Sequence, residues 1–478
     1  MTVTIERATT TSPTDVPRPS HGAGPTRRTE RALPWISALV LFSLYVTLSV
    51  RRHLQLMTSG YDLGIFEQSV RSYAAGHLPV STLKGPGYPL LGDHFSPIVA
   101  TIAPLYRVFP SPVTLLVAQA ALLSVAVVPL SAWALREAGR RVALVVVVVY
   151  GLSWGIAQAV GFDFHEVAFG VPLLAFATVA LGDGRLRHAV LWAAPLVLVK
   201  EDLGLTVAML GLLVVLRGRR RLGLLTAAGG VVATALEMGV VIPAINPGGS
   251  NAYVGQIDSG GLAHQLAGIL SPDTKIVTLV LLLAPTAFIA LRSPLLLLLV
   301  VPTLGWRFLS SNPAYWGTSF HYSAVLMPIV VAALIDGLRR HRGRRWPVLA
   351  VSVLVTAWLV PQNPFAQLAS PGLWQTDARV VAVNQVLARI PSGTSVSASN
   401  WLAPQLTSRD DVSLFGFTPL TTSHAEYVVV DTRELGTFPV LHEQQAALLL
   451  QARGLGYAVI DQVDGVVLLH RASAPVEH

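Results

Sequence analysis

The sequence predicts a polytopic α-helical membrane protein of about eleven spans, followed by a C-terminal α/β domain on the outer face. Three observations carry that reading. Hydrophobic residues make up 52% of the 478-residue chain and charged residues only 13%, where soluble proteins hold roughly 25% charged residues. Uncharged apolar runs such as TLLVAQAALLSVAVVPL (114–130) and ALVVVVVYGLSWGIA (143–157) approach the roughly 20 residues that cross a hydrocarbon core. After Pro361 and Pro364 the composition changes, and residues 373–478 contain no such run.

Taken in order, residues 1–33 are rich in Thr, Pro, Ser and Arg and read as a disordered cytoplasmic tail. No cleavable signal precedes the first span, so residues 34–50 act as an uncleaved anchor. Hydropathy places further spans near 113–135, 142–159, 167–182, 188–200, 202–216, 222–243, 275–291, 294–309, 320–338 and 346–361. Arginine orients them. Arg136, Arg140 and Arg141, then Arg185 and Arg187, then Arg217 and Arg219 to Arg221, then Arg292, then the run from Arg339 to Arg345 all fall in loops that alternate with the acidic and aromatic motifs. Short cytoplasmic loops carry such an excess of basic residues, so the N-terminus is expected inside and the C-terminal domain outside. The net charge of +8 is thereby a topology signal, and nucleic acid is not an expected partner. Without cysteine, disulfides, thiol catalysis and cysteine metal sites are excluded.

This topology makes residues 51–112 one large external loop. Residues 95–109, interrupted by Pro97 and Pro104, read as a segment partly embedded at the outer face. Leu63, Phe66, Val70, Tyr73 and Ala74 form one apolar stripe opposite Gln68, Arg71 and Ser72, which predicts an amphipathic helix lying along the membrane interface. In the C-terminal domain, strands are expected at 394–398, 426–431, 457–461 and 466–471, and helices over 376–390 and 441–454. No Gly-rich phosphate loop opens a helix there, and no internal repeat is visible.

The chemistry concentrates at one edge. YDLGIFEQ (61–68), GDHFSP (92–97), GFDFHE (161–166), VKED (199–202) and FHY (320–322) all fall on the same side of the expected spans, and ionisable groups near hydrocarbon are costly and usually functional. Asp62 is a candidate general base for an acceptor hydroxyl, since partial burial raises a carboxyl pKa toward the working range; the alternative is a helix N-cap. Asp93 and His94, in a Gly- and Pro-flanked turn, are further catalytic candidates. Asp163, His165 and Glu166 occupy another outer turn. Carboxylates and imidazoles on these two separate turns suit a divalent cation, Mg²⁺ or Mn²⁺, or else loop-ordering hydrogen bonds. Lys200 either pairs with its neighbours Glu201 and Asp202 or clamps a lipid-phosphate head group together with Arg307, His321 and Tyr322. Glu237 lies inside a span and is expected on the same cavity. Trp35, Trp306, Tyr315 and Trp316 are expected as interface anchors.

At these motifs the chain resembles a widespread prokaryotic family of predicted membrane proteins of unknown function. YDLGIFEQ, GDHFSPI with the following APLY, FDFHE, KEDLGL, HYSAVLMP and IPSGTSVSASNWLAPQLTSR carry the resemblance, which covers nearly all of the chain after residue 55. The family often has Pro-His where this chain has Pro404 and Gln405. It is grouped with the GT-C glycosyltransferases, membrane enzymes that move sugars from polyprenyl-phosphate donors. The resemblance therefore implies a polyprenyl-phosphate sugar donor, a large first external loop and an acidic base there, a role that falls on Asp62. A transporter or flippase, and a non-catalytic envelope scaffold, are the alternatives; sugar, acceptor and lipid carrier are not encoded in any motif.

Overall fold

Apolar sequence with few charges leaves the backbone no partner but itself, and up to residue 374 regular structure is helical throughout the residues that the structure, a computed structural model, describes: 25–251, 255, 268–269, 271–434 and 441–471. Helix α1 (Pro25–Leu54) begins before the expected first span, so residues 25–33 are helical; residues 1–24 of the expected tail lie outside the described residues. Then come α2 (Ile65–Ala74), α3 (Ala103–Val108), α4 (Pro112–Val125), α5 (Val127–Ala138), α6 (Arg140–Gly151), α7 (Trp154–Gly161), α8 (Val167–Gly182), α9 (Leu186–Ala193), α10 (Leu203–Leu216) and α11 (Arg220–Leu236). Later helices include Val301–Leu309, Leu326–Arg340 and Arg345–Leu359.

Among the described residues, three helices are long and apolar enough to cross a membrane: Glu30–Leu54, Pro112–Ala138 and Arg220–Ile245. A fourth follows if α6 and α7, bent by 45° at their junction, are one span. The expected count of about eleven is thus not established, because hydropathy counts apolar residues and not continuous helix. Turns of 3₁₀ helix at Ala194–Leu198 and Ala284–Thr286, holding Pro195 and Pro285, divide the other runs.

Helices α10 and α11 meet backbone to backbone. Gly204 and Gly211 on one face Gly223 and Gly230 on the other, and a Cβ added at Gly204 would lie 2.7 Å from the Gly230 carbonyl oxygen. Small residues are the usual means by which membrane helices approach this closely. The two pairs share a seven-residue spacing that the sequence reading missed.

The two ends of the bundle differ in charge. At one end, Arg136 and Arg185 both pair with Asp183 at 2.9 and 3.0 Å, Arg339 pairs with Glu137 at 3.1 Å and Arg340 with Asp336 at 2.8 Å. These half-exposed pairs contribute little stability, but they gather the basic loops together. At the other end sits the C-terminal sheet, with β1 (Ser395–Ala398), β2 (Asp411–Leu414), β3 (Tyr427–Asp431), β4 (Tyr457–Val463) and β5 (Val466–Arg471) in the order β2-β1-β3-β5-β4. Strand β1 runs parallel to β2 and β3, while β5 is antiparallel to β3 and β4. Asp464 and Gly465, both at positive φ, turn the β4–β5 hairpin as a type I′ Asp-Gly pair does. Strand β2 was not foreseen; DVSL is only four residues long and is preceded by Arg409 and Asp410 rather than by turn residues.

Helix α2 is not at a lipid surface. Its apolar stripe packs Leu63 and Val70 against Val99, Ile102, Tyr106, Leu115, Leu116 and Phe164. The face expected to meet water is covered by the sheet domain instead: Gln68 donates to the Val412 carbonyl at 3.0 Å, and Arg71 to those of Thr407 and Asp410 at 2.6 and 2.8 Å. Leu56, Ile65 and Leu83 from the first loop share one apolar cluster with Val396, Ala398, Val412 and Leu414. An amphipathic pattern records two environments and does not say that the polar one is water.

Candidate functional site

Where the sheet domain, the 51–112 loop and the non-basic end of the bundle meet, they enclose a cavity of about 790 Å³, within the roughly 300–1,000 Å³ of small-molecule sites. All five sequence motifs contribute to its wall, joined by Lys84, Trp306, Tyr315, Asn400 and Trp401.

Asp62 lies in a π-helical turn, Gly60–Gly64, ahead of α2. It is not the expected N-cap: extended Ser59 precedes the turn and Gly64 caps α2. Its Oδ1 is 3.2 Å from His165 Nε2 and the side chain is 26% exposed, so the other oxygen can be reached from the cavity. The turn is held from two sides. Asn400 accepts from Gly60 N through its carbonyl and from Tyr61 N through Oδ1, and Asp163 Oδ2 accepts from Ser59 N at 2.7 Å.

The GFDFHE turn is shaped by Asp163 at φ +59° and by Gln119, the lone polar residue in an apolar stretch of α4. Gln119 Oε1 accepts from His165 N at 3.0 Å, and its Nε2 donates to the carbonyls of Ala159 and Asp163. That isolated glutamine was the missed signal, since a buried amide must find partners. His165 stacks on His321 with ring centres 3.6 Å apart, and the Phe162 ring lies nearly parallel to both, 5.3 Å from His165 and 5.9 Å from His321. Burial, then the neighbouring His165, holds His321 well below the usual histidine range, so it is neutral.

The opposite wall is a set of ion pairs. Lys200 Nζ is 2.8 Å from Glu166 Oε1, His94 Nδ1 is 2.8 Å from Glu201 Oε1, and Lys84 Nζ is 2.5 Å from Asp93 Oδ2. Burial alone would push the Glu166 carboxyl up, but Lys200 and then His94 hold it down at about 2, and Glu166 in turn raises the Lys200 ammonium against its own burial. Asp202 takes a hydrogen bond from Trp306 Nε1 at 2.7 Å, and burial, outweighing the attraction of Lys200, moves its carboxyl up to about 6.

Several expectations change on this geometry. Lys200 pairs with Glu166 from another loop, not with its neighbours. Asp93 is bound to Lys84. Arg307 is fully buried and donates to the carbonyls of Tyr315, Gly317 and Tyr322 and to Ser323 Oγ; a guanidinium so occupied shapes the 315–323 loop and does not reach a phosphate. Glu237 is buried in a π turn outside the cavity wall, to which Met238 contributes instead. Trp306 and Tyr315 line the cavity rather than anchoring an interface, and Trp316 donates to the Ser310 carbonyl with Lys275 over its ring. As to a divalent cation, no three His, Asp or Glu side chains among the described residues converge closely enough to hold one, since the nearest carboxylates are taken by lysine and histidine.

Burial, then the nearby Asp62 carboxylate, pushes the Asp163 carboxyl up to about 8. Its ordinary value is about 3.9, so between these the folded state binds a proton that the unfolded state releases, and stability contributed here falls as pH rises. Asp163→Asn keeps an acceptor for Ser59 N and has no such titration. The variant is expected to show a flatter melting temperature between about pH 4 and pH 8, measured in detergent.

Two crystal structures of ArnT from Cupriavidus metallidurans share the fold. The apo form superposes with a TM-score of 0.57 at 12% identity, and the form bound to undecaprenyl phosphate with 0.56 at 13%, each over 93% of this chain and 98% of that one. The chain therefore shares the architecture of ArnT. No curated protein matches the sequence. Residues 52–468 match the family described as Predicted membrane protein (DUF2079), and the chain belongs to that family.

Proposed function

We propose that the protein is a GT-C-like glycosyltransferase that moves a sugar from a polyprenyl-phosphate donor to an acceptor hydroxyl, with the cavity and sheet domain on the extracytoplasmic side. The observation that carries this reading is the asymmetry of the cavity. Asp93, Glu166 and Glu201 are 13% exposed or less and each lies within 2.8 Å of a lysine or histidine, whereas Asp62 is 26% exposed, meets His165 at 3.2 Å through Oδ1 and presents its second oxygen to the cavity. A general base needs that access. The shared fold with an undecaprenyl-phosphate-bound ArnT supports the lipid-phosphate class.

In this reaction Asp62 takes the proton of the acceptor hydroxyl as its oxygen attacks the anomeric carbon. The bond from that carbon to the phosphate oxygen breaks, its electron pair leaves on the phosphate, and polyprenyl phosphate is released. His165 Nε2–H holds one Asp62 oxygen and so orients the other. Lys84 and Lys200, the lysines that line the cavity, face the departing phosphate; their carboxylate partners hold both ammonium groups in place. Phe162, Phe320 and Tyr322 supply the flat apolar faces on which a sugar ring rests.

Undecaprenyl phosphate should raise the melting temperature of the purified protein, because a ligand at about 100 times its dissociation constant adds about 2.7 kcal/mol to the native state. The parent polyprenol should not, and Lys84→Met should lose most of the shift. Equal stabilisation by the polyprenol would remove the phosphate from the reading. Movement of a lipid-linked sugar across a vesicle bilayer without any transfer product would turn it into a flippase.

A further inference from the structure

We propose that Asn400, in the sheet domain, is a positioning residue for Asp62, so that the C-terminal domain completes the active site. This rests on the reading of Asp62 as the base. Asn400 is nearly buried and follows β1. Its carbonyl accepts from Gly60 N at 2.7 Å, and its Oδ1 accepts from Tyr61 N at 2.9 Å and from Ser59 Oγ at 3.2 Å. One residue thus binds the three consecutive residues that lead into Asp62.

Asn400 is itself anchored to the sheet. The preceding Ser399 donates its N–H to the Val429 carbonyl at 3.0 Å, and its Oγ accepts from Asp431 N at 2.9 Å. The contact is also close: a Cβ added at Gly60 would lie 2.6 Å from Ala403 Cβ. Ser59 joins the two supports, giving its N–H to Asp163 in the bundle and its hydroxyl to Asn400. The π-helical turn is thereby clamped between bundle and sheet, and its geometry is not one that an isolated segment keeps. Docking of the domain does not depend on this residue, because Gln68 and Arg71 bind Val412, Thr407 and Asp410 separately. Loss of the Asn400 amide therefore releases the turn while the domain stays in place.

The test compares Asn400→Leu, which removes the acceptor at similar size, with Asn400→Asp, which keeps it, in the full-length protein. Hydrogen exchange of residues 59–64 is read alongside kcat and donor KM for sugar transfer, with Asn400→Ala standing in if the leucine variant does not fold. In Asn400→Leu, exchange at Tyr61, whose N–H loses its side-chain acceptor while Gly60 keeps the backbone carbonyl, should accelerate and kcat should fall about a hundredfold, the cost of roughly 1 Å of misplacement, with donor KM and melting temperature near wild type. Asn400→Asp should keep slow exchange and most of kcat. Unchanged exchange in Asn400→Leu, or a loss confined to donor KM, would overturn the proposal. If Asp62→Asn is fully active, the reading of the base fails, and the exchange data still decide whether Asn400 holds the turn.

Discussion

Asp62→Asn is expected to lower sugar transfer by at least about a hundredfold, since a positioned general base contributes roughly 10² to 10⁴ in rate. Asparagine keeps the size of the side chain and an oxygen to accept from His165, whose Nε2 lies 3.2 Å away, so the turn and the cavity should persist. What is lost is the capacity to take a proton. The variant should accordingly keep the stabilisation by undecaprenyl phosphate while failing to turn over. A radiolabelled transfer assay checks the first part, and a melting curve the second. Full transfer by a folded Asp62→Asn protein would remove this residue from the chemistry.

Lys200→Met should cost the most stability. It strands the Glu166 carboxylate, 1% exposed and 2.8 Å from the missing ammonium, and breaking a buried ion pair from one side typically costs about 3–5 kcal/mol. Adding Glu166→Gln removes the stranded charge, so the double variant should recover most of that loss. The pH dependence has a definite sign. In the wild-type protein the Glu166 carboxyl is held at about 2, so its contribution is present above the ordinary glutamate value of about 4.3 and fades as pH falls toward 2. In Lys200→Met the unpaired acid prefers its neutral form, and the deficit against wild type should shrink on acidification. Melting temperatures of the wild type and the two variants from about pH 4 to pH 8 decide this. A deficit that stays constant would mean that packing of the lysine stem, not charge, holds the site.

The edge on which the chemistry gathers was legible in the sequence because ionisable residues beside apolar runs are expensive and need partners. Asp62 and His94 from the first loop, and His165, Lys200 and His321 from three others, reach the same cavity. The partners themselves were not legible. Glu166 is 34 residues from Lys200, and His94 is 107 from Glu201, so adjacency in VKED suggested the wrong pairing. Depth was hidden too: Arg307 and Lys84 are both cations near aromatic residues, yet one is spent on backbone carbonyls and the other lines the cavity. Asn400 and Trp401 carried no charge or metal pattern to mark them. The polar face of α2 was read as wet because a helix pattern cannot distinguish solvent from a second domain, and the sheet that covers it lies more than 300 residues downstream.

The site therefore has a timetable. Its wall begins at Ser59 and closes with Trp401, so most of the polypeptide must be synthesised and the sheet domain folded before Asp62 is seated. Nothing shorter has an assembled cavity. A chain that stops ahead of β1 would keep the pair of Lys200 with Glu166 and yet lack the Asn400 acceptors that fix the turn before Asp62.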